Sequence, residues 1–185
     1  MGVDLLPPKL SVDQLAAEWL DQRGRHLADG TLRDYESVIE AHILPRIGGL
    51  NVSGLRTANV RAWMAELDKA AVSIDRQRRA LKMLRMLLRF GIESDYLREN
   101  VASNVRMPKK PMTEPVQPLA PKQIEKLRSY LRGQGLYADA LLISIMGYAG
   151  LRPGEASALT WADVRERTLV VRATKTNRVR SVQVL

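Results

Sequence analysis

The stretch "YAGLRPGEASALTW", Tyr148 to Trp161, sets an arginine where helix chemistry ordinarily selects a small polar residue. Gly150 reads as the end of one helix. Pro153 reads as the first residue of the next, where its missing N–H is harmless and its fixed φ is already helical. Arg152 therefore falls at or beside an N-cap, facing the positive end of a helix dipole. A guanidinium beside exposed helix amides makes a composite anion site. The plainer reading is a surface pair of Arg152 with Glu155 or Glu166. Glu155, three residues on, is placed to cap amides and orient Arg152, or to serve as a structural cap alone.

On the C-terminal side of this block, "TLVVRA" and "RVRSVQV" are β-branched runs around "TKTN", which predicts a hairpin with Lys175 at its tip. Arg172, Arg178 and Arg180 alternate around that lysine and are candidates to hold nucleic-acid backbone. On the N-terminal side, "YADALLISIMGYAG" is apolar nearly all round, which predicts a helix buried within a domain, and "APKQIEKLRSYLRG" carries Pro121 in a first helical turn. Before these, "SNVRMPKKPMTEPVQP" is proline-rich, without periodicity and basic at Lys109 and Lys110, as a semi-extended linker is. The expected organisation is a first domain over 1–102, a linker over 103–118 and a second domain over 119–185.

The first domain reads as four helices closing one small core. Ser11 with Gln14 makes a capping-box spacing ahead of Val12, Leu15, Ala16, Trp19 and Leu20; Thr31 is expected to cap a second helix that Pro45 and Gly48 stop. Thr57 starts a third helix and Ser73 a fourth, lasting to about Phe90. On that fourth helix Arg78, Lys82, Arg85 and Arg89 share one narrow stripe, while Ala80, Met83, Leu84 and Leu87 point the other way. Solvated faces usually mix signs so that neighbouring charges pair, whereas no acid interrupts this stripe. DNA phosphates would relieve its self-repulsion.

Composition points the same way. The chain of 185 residues is 45% hydrophobic, as a core-forming protein is, and its 29 Lys and Arg against 20 Asp and Glu leave a formal charge of +9. That excess favours a polyanionic partner, with nucleic acid, double-stranded DNA where the basic stripe is concerned, ahead of an acidic membrane or protein surface. With no cysteine there are neither disulfides nor thiolate metal sites, and the cytoplasm is the expected compartment. No segment is long and apolar enough to span a membrane, and Leu6 stands where a myristoylation signal after Gly2 wants Ser or Thr. His26 and His42 read as surface or helix-end residues, and no metal-ligand spacing, nucleotide loop or serine triad implies a metal or other cofactor.

Together, "GLRPGEASALTWADV" resembles the G-L-R-x-x-E-x-x-x-L-x-W-x-D block of the tyrosine site-specific recombinases, the phage integrase family. "ATKTNRVRSVQVL" resembles the lysine hairpin that follows it there, and the helical start with "HILPRIG" resembles the family's core-binding domain. Tyr148-Ala149-Gly150 departs from the usual Thr-Gly, and Asn100-Val101 from the usual Asn-Pro. The resemblance implies a mainly α protein: a four-helix SAM-like core-binding domain, then a truncated α+β catalytic domain with a β-hairpin. It implies that Arg152 clamps a scissile phosphate, that Glu155 supports it, and that Lys175 protonates the departing 5′ oxygen. Trp161 and Asp163 would be structural, as an aromatic wedge and a turn or cap acid. Other recombinase protomers are possible partners.

In the family a second arginine in His-x-x-Arg, a further His or Trp, and the tyrosine that joins DNA follow the lysine hairpin. All 5 tyrosines here precede Arg152, so a polypeptide of these residues is expected not to cleave DNA alone. Two rival readings stay open: a DNA-binding protein that competes for or regulates recombination sites, and a basic architectural or RNA-binding module.

Overall fold

The computed structural model describes residues 10–112, 114–173 and 178–183, which divide into two compact units at Thr113/Glu114. The architecture is mainly helical, with one two-stranded hairpin among the described residues. The N-terminal stretch holding Gly2 and Leu6 lies outside them, as do Lys175 and the side chain of Arg178.

Unit 1 is built from α1 (Val12–Arg23), α2 (Asp29–Val38), α3 (Leu44–Ile47), α4 (Thr57–Lys69) and α5 (Ile74–Glu93). At the head of α1, the Ser11 N–H donates to Gln14 Oε1 at 3.0 Å. The next helix starts earlier than its sequence suggests. Asp29 begins it, and Thr31 lies inside the first turn with its N–H bonded to the Ala28 carbonyl at 2.8 Å. An acid in the first turn suits the helix dipole, which explains the earlier start.

Pro45 does not stop the helix that contains it. A π-helical turn, Ile39–Ile43, shifts the register so that the proline falls within the first turn of α3, where no N–H is needed. The Ala41 carbonyl that a residue 45 amide would have served accepts from Arg46 at 3.3 Å instead. The neighbouring His42 carbonyl accepts the indole N–H of buried Trp63 at 2.8 Å, which fastens α4 to the π turn. Around this joint Leu15, Ile39, Ile43, Leu67, Leu84 and Leu87 pack into one apolar core. Gly91 is required where α5 meets its neighbours, because a Cβ there would lie 3.0 Å from Leu97 and 3.5 Å from Leu15.

The first part of the proline-rich segment belongs structurally to unit 1. Val105 is buried in its core, beside Val101 and Ala102 just before the segment, and Met107 packs against it, while residues 109–112 and 114–120 are exposed. Apolar side chains there override the linker-like composition.

Unit 2 comprises α6 (Pro121–Gly133), α7 (Tyr137–Ala149), α8 (Pro153–Ser157), β1 (Thr168–Ala173) and β2 (Arg178–Gln183). Its buried apolar cluster is small: Leu151, Ala156, Leu169 and Val171, flanked by Leu142, Ile145 and Met146. The apolar helix α7 is not enclosed as its composition predicts. Of its residues only Ala140 is buried, and Tyr137, Leu141 and Tyr148 are exposed; α6 and α8 are the elements that pack most against it. The antiparallel register sets Val171 opposite Arg180 and Leu169 opposite Val182, so Arg180 shares the strand face that Val171 and Leu169 turn to the core.

Candidate functional site

Gly150 adopts φ +64, the left-handed conformation that ends α7, and sends Leu151 into the core of unit 2. Arg152 follows as the N-cap of α8 and Pro153 is its first residue. The buried carboxylate of Glu155 folds back on the turn, accepting from the Arg152 N–H at 2.9 Å and from Arg152 Nη1 at 3.1 Å. It also accepts both terminal nitrogens of Arg180, Nη1 at 3.1 Å and Nη2 at 2.9 Å. The Arg152 N–H holds the Glu155 carboxyl below the ordinary carboxylate range against the cost of burial, with help from Arg180 and from the Arg152 side chain. The arginine itself stays open: its side chain is 74% exposed, against 4% for Glu155.

The helix amides, in contrast, are occupied except at Gly154, whose N–H has no hydrogen-bond partner among the described residues. Glu155 and Ala156 both donate to the Arg152 carbonyl, Pro153 has no N–H, and the Arg152 N–H is taken by Glu155. The composite amide-and-guanidinium arrangement expected from the sequence is thus reduced to the guanidinium and the single N–H of Gly154. Of the two surface pairings open to Arg152, the structure forms the one with Glu155.

A second buried acid lies eight residues further on. Asp163 accepts the Thr160 N–H at 3.1 Å and hydroxyl at 2.8 Å, and its other oxygen accepts Arg172 Nε at 3.2 Å and Nη2 at 3.0 Å. The Thr160 hydroxyl and N–H, then Arg172, hold this carboxyl below its ordinary range. Two hairpin arginines are therefore each clasped by a buried carboxylate, Arg180 by Glu155 and Arg172 by Asp163. Trp161 stands 87% exposed and wedges nothing among the described residues. Lys175, between β1 and β2 in sequence, lies outside the described residues.

The basic stripe of α5 is divided by its neighbours. Arg85 is half-buried and donates to the carbonyls of Ala102 at 3.1 Å and Val105 at 2.6 Å, while Asn100 donates to the Arg85 carbonyl at 2.8 Å. Arg78, also half-buried, donates to the Pro108 carbonyl. Lys82 and Arg89 are exposed, and Lys109 is exposed beyond them. Lys110 pairs with Asp75 at 3.3 Å, so an acid does enter this face, and Asp75, Arg78, Arg79, Lys82 and Lys110 line one shallow groove.

Residues 11–67 match the model of the phage integrase N-terminal SAM-like domain. Over 98% of its length the chain is 27% identical to tyrosine recombinase XerC of Mesorhizobium japonicum. In sequence the chain is similar to the tyrosine recombinase, or phage integrase, family, whose SAM-like domain matches it over residues 11–67. It spans 63% of that relative's length. In fold, 94% of the chain superposes on 49% of lambda integrase, solved as a dimer bound to a core site, with a TM-score of 0.80 at 16% identity. It also superposes over 95% of its length on 61% of the Tn1549 transposon integrase, solved with circular intermediate DNA, with a TM-score of 0.74 at 23% identity. Unit 1 carries the family's SAM-like fold.

Within this family frame, the block and the hairpin converge on one carboxylate. Sequence reasoning found Arg152 and Glu155 but assigned Arg180 to DNA backbone, missing its pairing with Glu155. A signal was available: in a strand that alternates, an arginine two residues from the inward-facing Val182 falls on the buried face, where it needs an acid. The carbonyl anchoring by Arg85 had no such signal, because main-chain acceptors leave no mark in a sequence.

Proposed function

We propose that the chain is the DNA-gripping part of a site-specific recombinase, in which unit 1 holds duplex DNA and unit 2 presents Arg152 to a scissile phosphodiester. The observation that carries this reading is the contrast at one turn: an exposed guanidinium anchored by a buried carboxylate. A surface pair formed for stability alone needs no buried acid, and exposed pairs contribute little. DNA enters as partner by extension from lambda integrase and Tn1549 integrase, each solved with DNA, and from the formal charge of +9. Lys82, Arg89 and Lys109 are the phosphate-binding side chains this proposal favours in unit 1, and Lys175 the proton donor to the 5′ oxygen. A second protomer on the same DNA belongs to the proposal, since lambda integrase is solved as a dimer on its core site.

None of the 5 tyrosines, all of which precede Arg152, is the strand-cleaving nucleophile in this proposal. The test is trapping of a covalent protein–DNA adduct on a nicked duplex, with the 185 residues joined to the C-terminal part of a related recombinase. Arg152→Ala is expected to lower adduct formation by about 100-fold or more with a far smaller change in DNA binding, since the guanidinium acts most where charge develops. Lys175→Ala is expected to slow cleavage of an ordinary duplex and to be rescued by a 5′-thiolate leaving group, which needs no proton. Full adduct formation by Arg152→Ala returns this arginine to surface pairing.

A further inference from the structure

Glu155 is shared unequally by two guanidiniums. Arg180 engages both carboxylate oxygens, Nη1 to Oε1 at 3.1 Å and Nη2 to Oε2 at 2.9 Å, in the parallel two-bond geometry that suits this pair of groups. Arg152 reaches only Oε1 with one nitrogen, at 3.1 Å, an oxygen Arg180 already uses. The side chain of Arg180 is 40% exposed, much less than that of Arg152. One carboxylate and two guanidiniums leave a net charge of one on the cluster, carried at its open edge by Arg152.

We propose that Arg180 is a positioning residue which saturates Glu155 and so keeps the guanidinium of Arg152 turned outward, with donors available to an anion. The physical ground is competition. A buried carboxylate without a bidentate partner is costly, and the nearest replacement is the arginine three residues before it, on the same turn. Were Arg180 absent, Arg152 would close its fork on Glu155, and its charge would be neutralised where it is now exposed. Arg180 stands on β2, so the same pair also ties the hairpin to the turn that carries Arg152. This inference rests on the reading of Arg152 as a phosphodiester-binding group.

The full chain is compared as wild type, Arg152→Ala, Arg180→Met, Arg180→Lys, Glu155→Gln and Arg180→Met with Glu155→Gln. Two readouts are taken. In the free protein, rotation of the Arg152 guanidinium is followed by nitrogen-15 NMR; it is expected to slow in Arg180→Met and to recover when Glu155→Gln is added, because a neutral amide does not hold a guanidinium fork. With duplex DNA, the slope of log affinity against log salt is expected to fall by about one in Arg180→Met and to return in the double variant. Arg180→Lys keeps the charge without the fork and is expected to lie between wild type and Arg180→Met in both readouts. A slope that stays reduced in the double variant makes Arg180 a direct phosphate contact and overturns the proposal. Unchanged Arg152 rotation in folded Arg180→Met or Arg180→Lys overturns it as well. If Arg180→Met does not fold, Arg180→Lys decides by the same rotation readout. An unaltered slope in Arg152→Ala sinks the phosphodiester reading itself, while the rotation measurement still decides whether Arg180 sets the orientation of Arg152.

Discussion

Helices α5 and α7 invert the usual relation between apolar content and burial. Helix α5 carries six arginines and lysines, yet it buries Ala80, Leu81, Met83, Leu84, Leu87, Leu88 and Phe90, because its apolar residues recur on one face and meet α1, α2 and α4. Helix α7 has no basic residue and is apolar on most sides, yet buries Ala140 alone. Burial follows from periodicity matched by neighbours rather than from hydrophobicity of the segment. Unit 1 is consequently held by a large apolar core, and unit 2 by a small apolar cluster together with ion pairs at two buried acids.

The largest expected effect breaks this comparison if it fails. Leu84→Ala removes a fully buried side chain from unit 1 and is expected to cost about 2–5 kcal/mol in urea unfolding, through lost transfer energy and the cavity left behind. Leu141→Ala, on the exposed side of α7, is expected to stay within about 0.5 kcal/mol. Equal costs would mean that α7 is enclosed in solution, for instance by self-association.

A smaller effect separates the two kinds of basic residue on α5. Arg85→Ala leaves the Ala102 and Val105 carbonyls without their partner and is expected to destabilise unit 1 by about 1.5–3 kcal/mol. Lys82→Ala and Arg89→Ala are expected to leave stability unchanged while each reduces the salt slope of DNA binding by about one. If Arg85→Ala changes the slope and not the stability, the stripe acts as a unit toward DNA, as its sequence alone suggests.

These contrasts mark what the sequence revealed. The helices, the hairpin and the turn that presents Arg152 were legible, because capping, proline placement and periodicity are local signals. Glu155 as the acid that orients Arg152 was legible from its spacing of three residues. The continuation of the helix through Pro45 was not, since it depends on a π turn and on Trp63 and Arg46 finding the freed carbonyls. Nor was the division of the α5 stripe, since Arg78 and Arg85 are drawn to main-chain oxygens of a segment far along the chain. Residues with long side chains and several possible partners were misassigned most: Arg180 suits a phosphate or a carboxylate equally, and only the fold shows which acid lies within reach.

The subtlest expected difference between the units is their response to acid. Glu155 and Asp163 have carboxyls held below their ordinary values of 4.5 and 3.8, the first chiefly by the Arg152 N–H and the second by the Thr160 hydroxyl and N–H. A carboxyl that titrates lower in the folded protein than in the unfolded one contributes stability that is complete above its ordinary value. That contribution is lost as pH falls toward the folded value, because the unfolded chain then binds more protons. Both acids grip the hairpin, so unit 2 is expected to loosen there between about pH 5 and 3, while the apolar core of unit 1 persists. Methyl resonances of Val171 and Leu84 report the two regions separately: Val171 should broaden or shift first on acidification. Glu125, held low by Tyr148 and Arg128, titrates in the same direction on α6, so Glu155→Gln with Asp163→Asn is needed to assign the effect. In that variant the hairpin should already be loosened at neutral pH and show little further change at Val171 on acidification. If Val171 in the wild type stays fixed down to about pH 3, or loosens as steeply in the variant, the buried acids are not what holds the hairpin, and the contrast between a unit held by its core and a unit held by ion pairs fails.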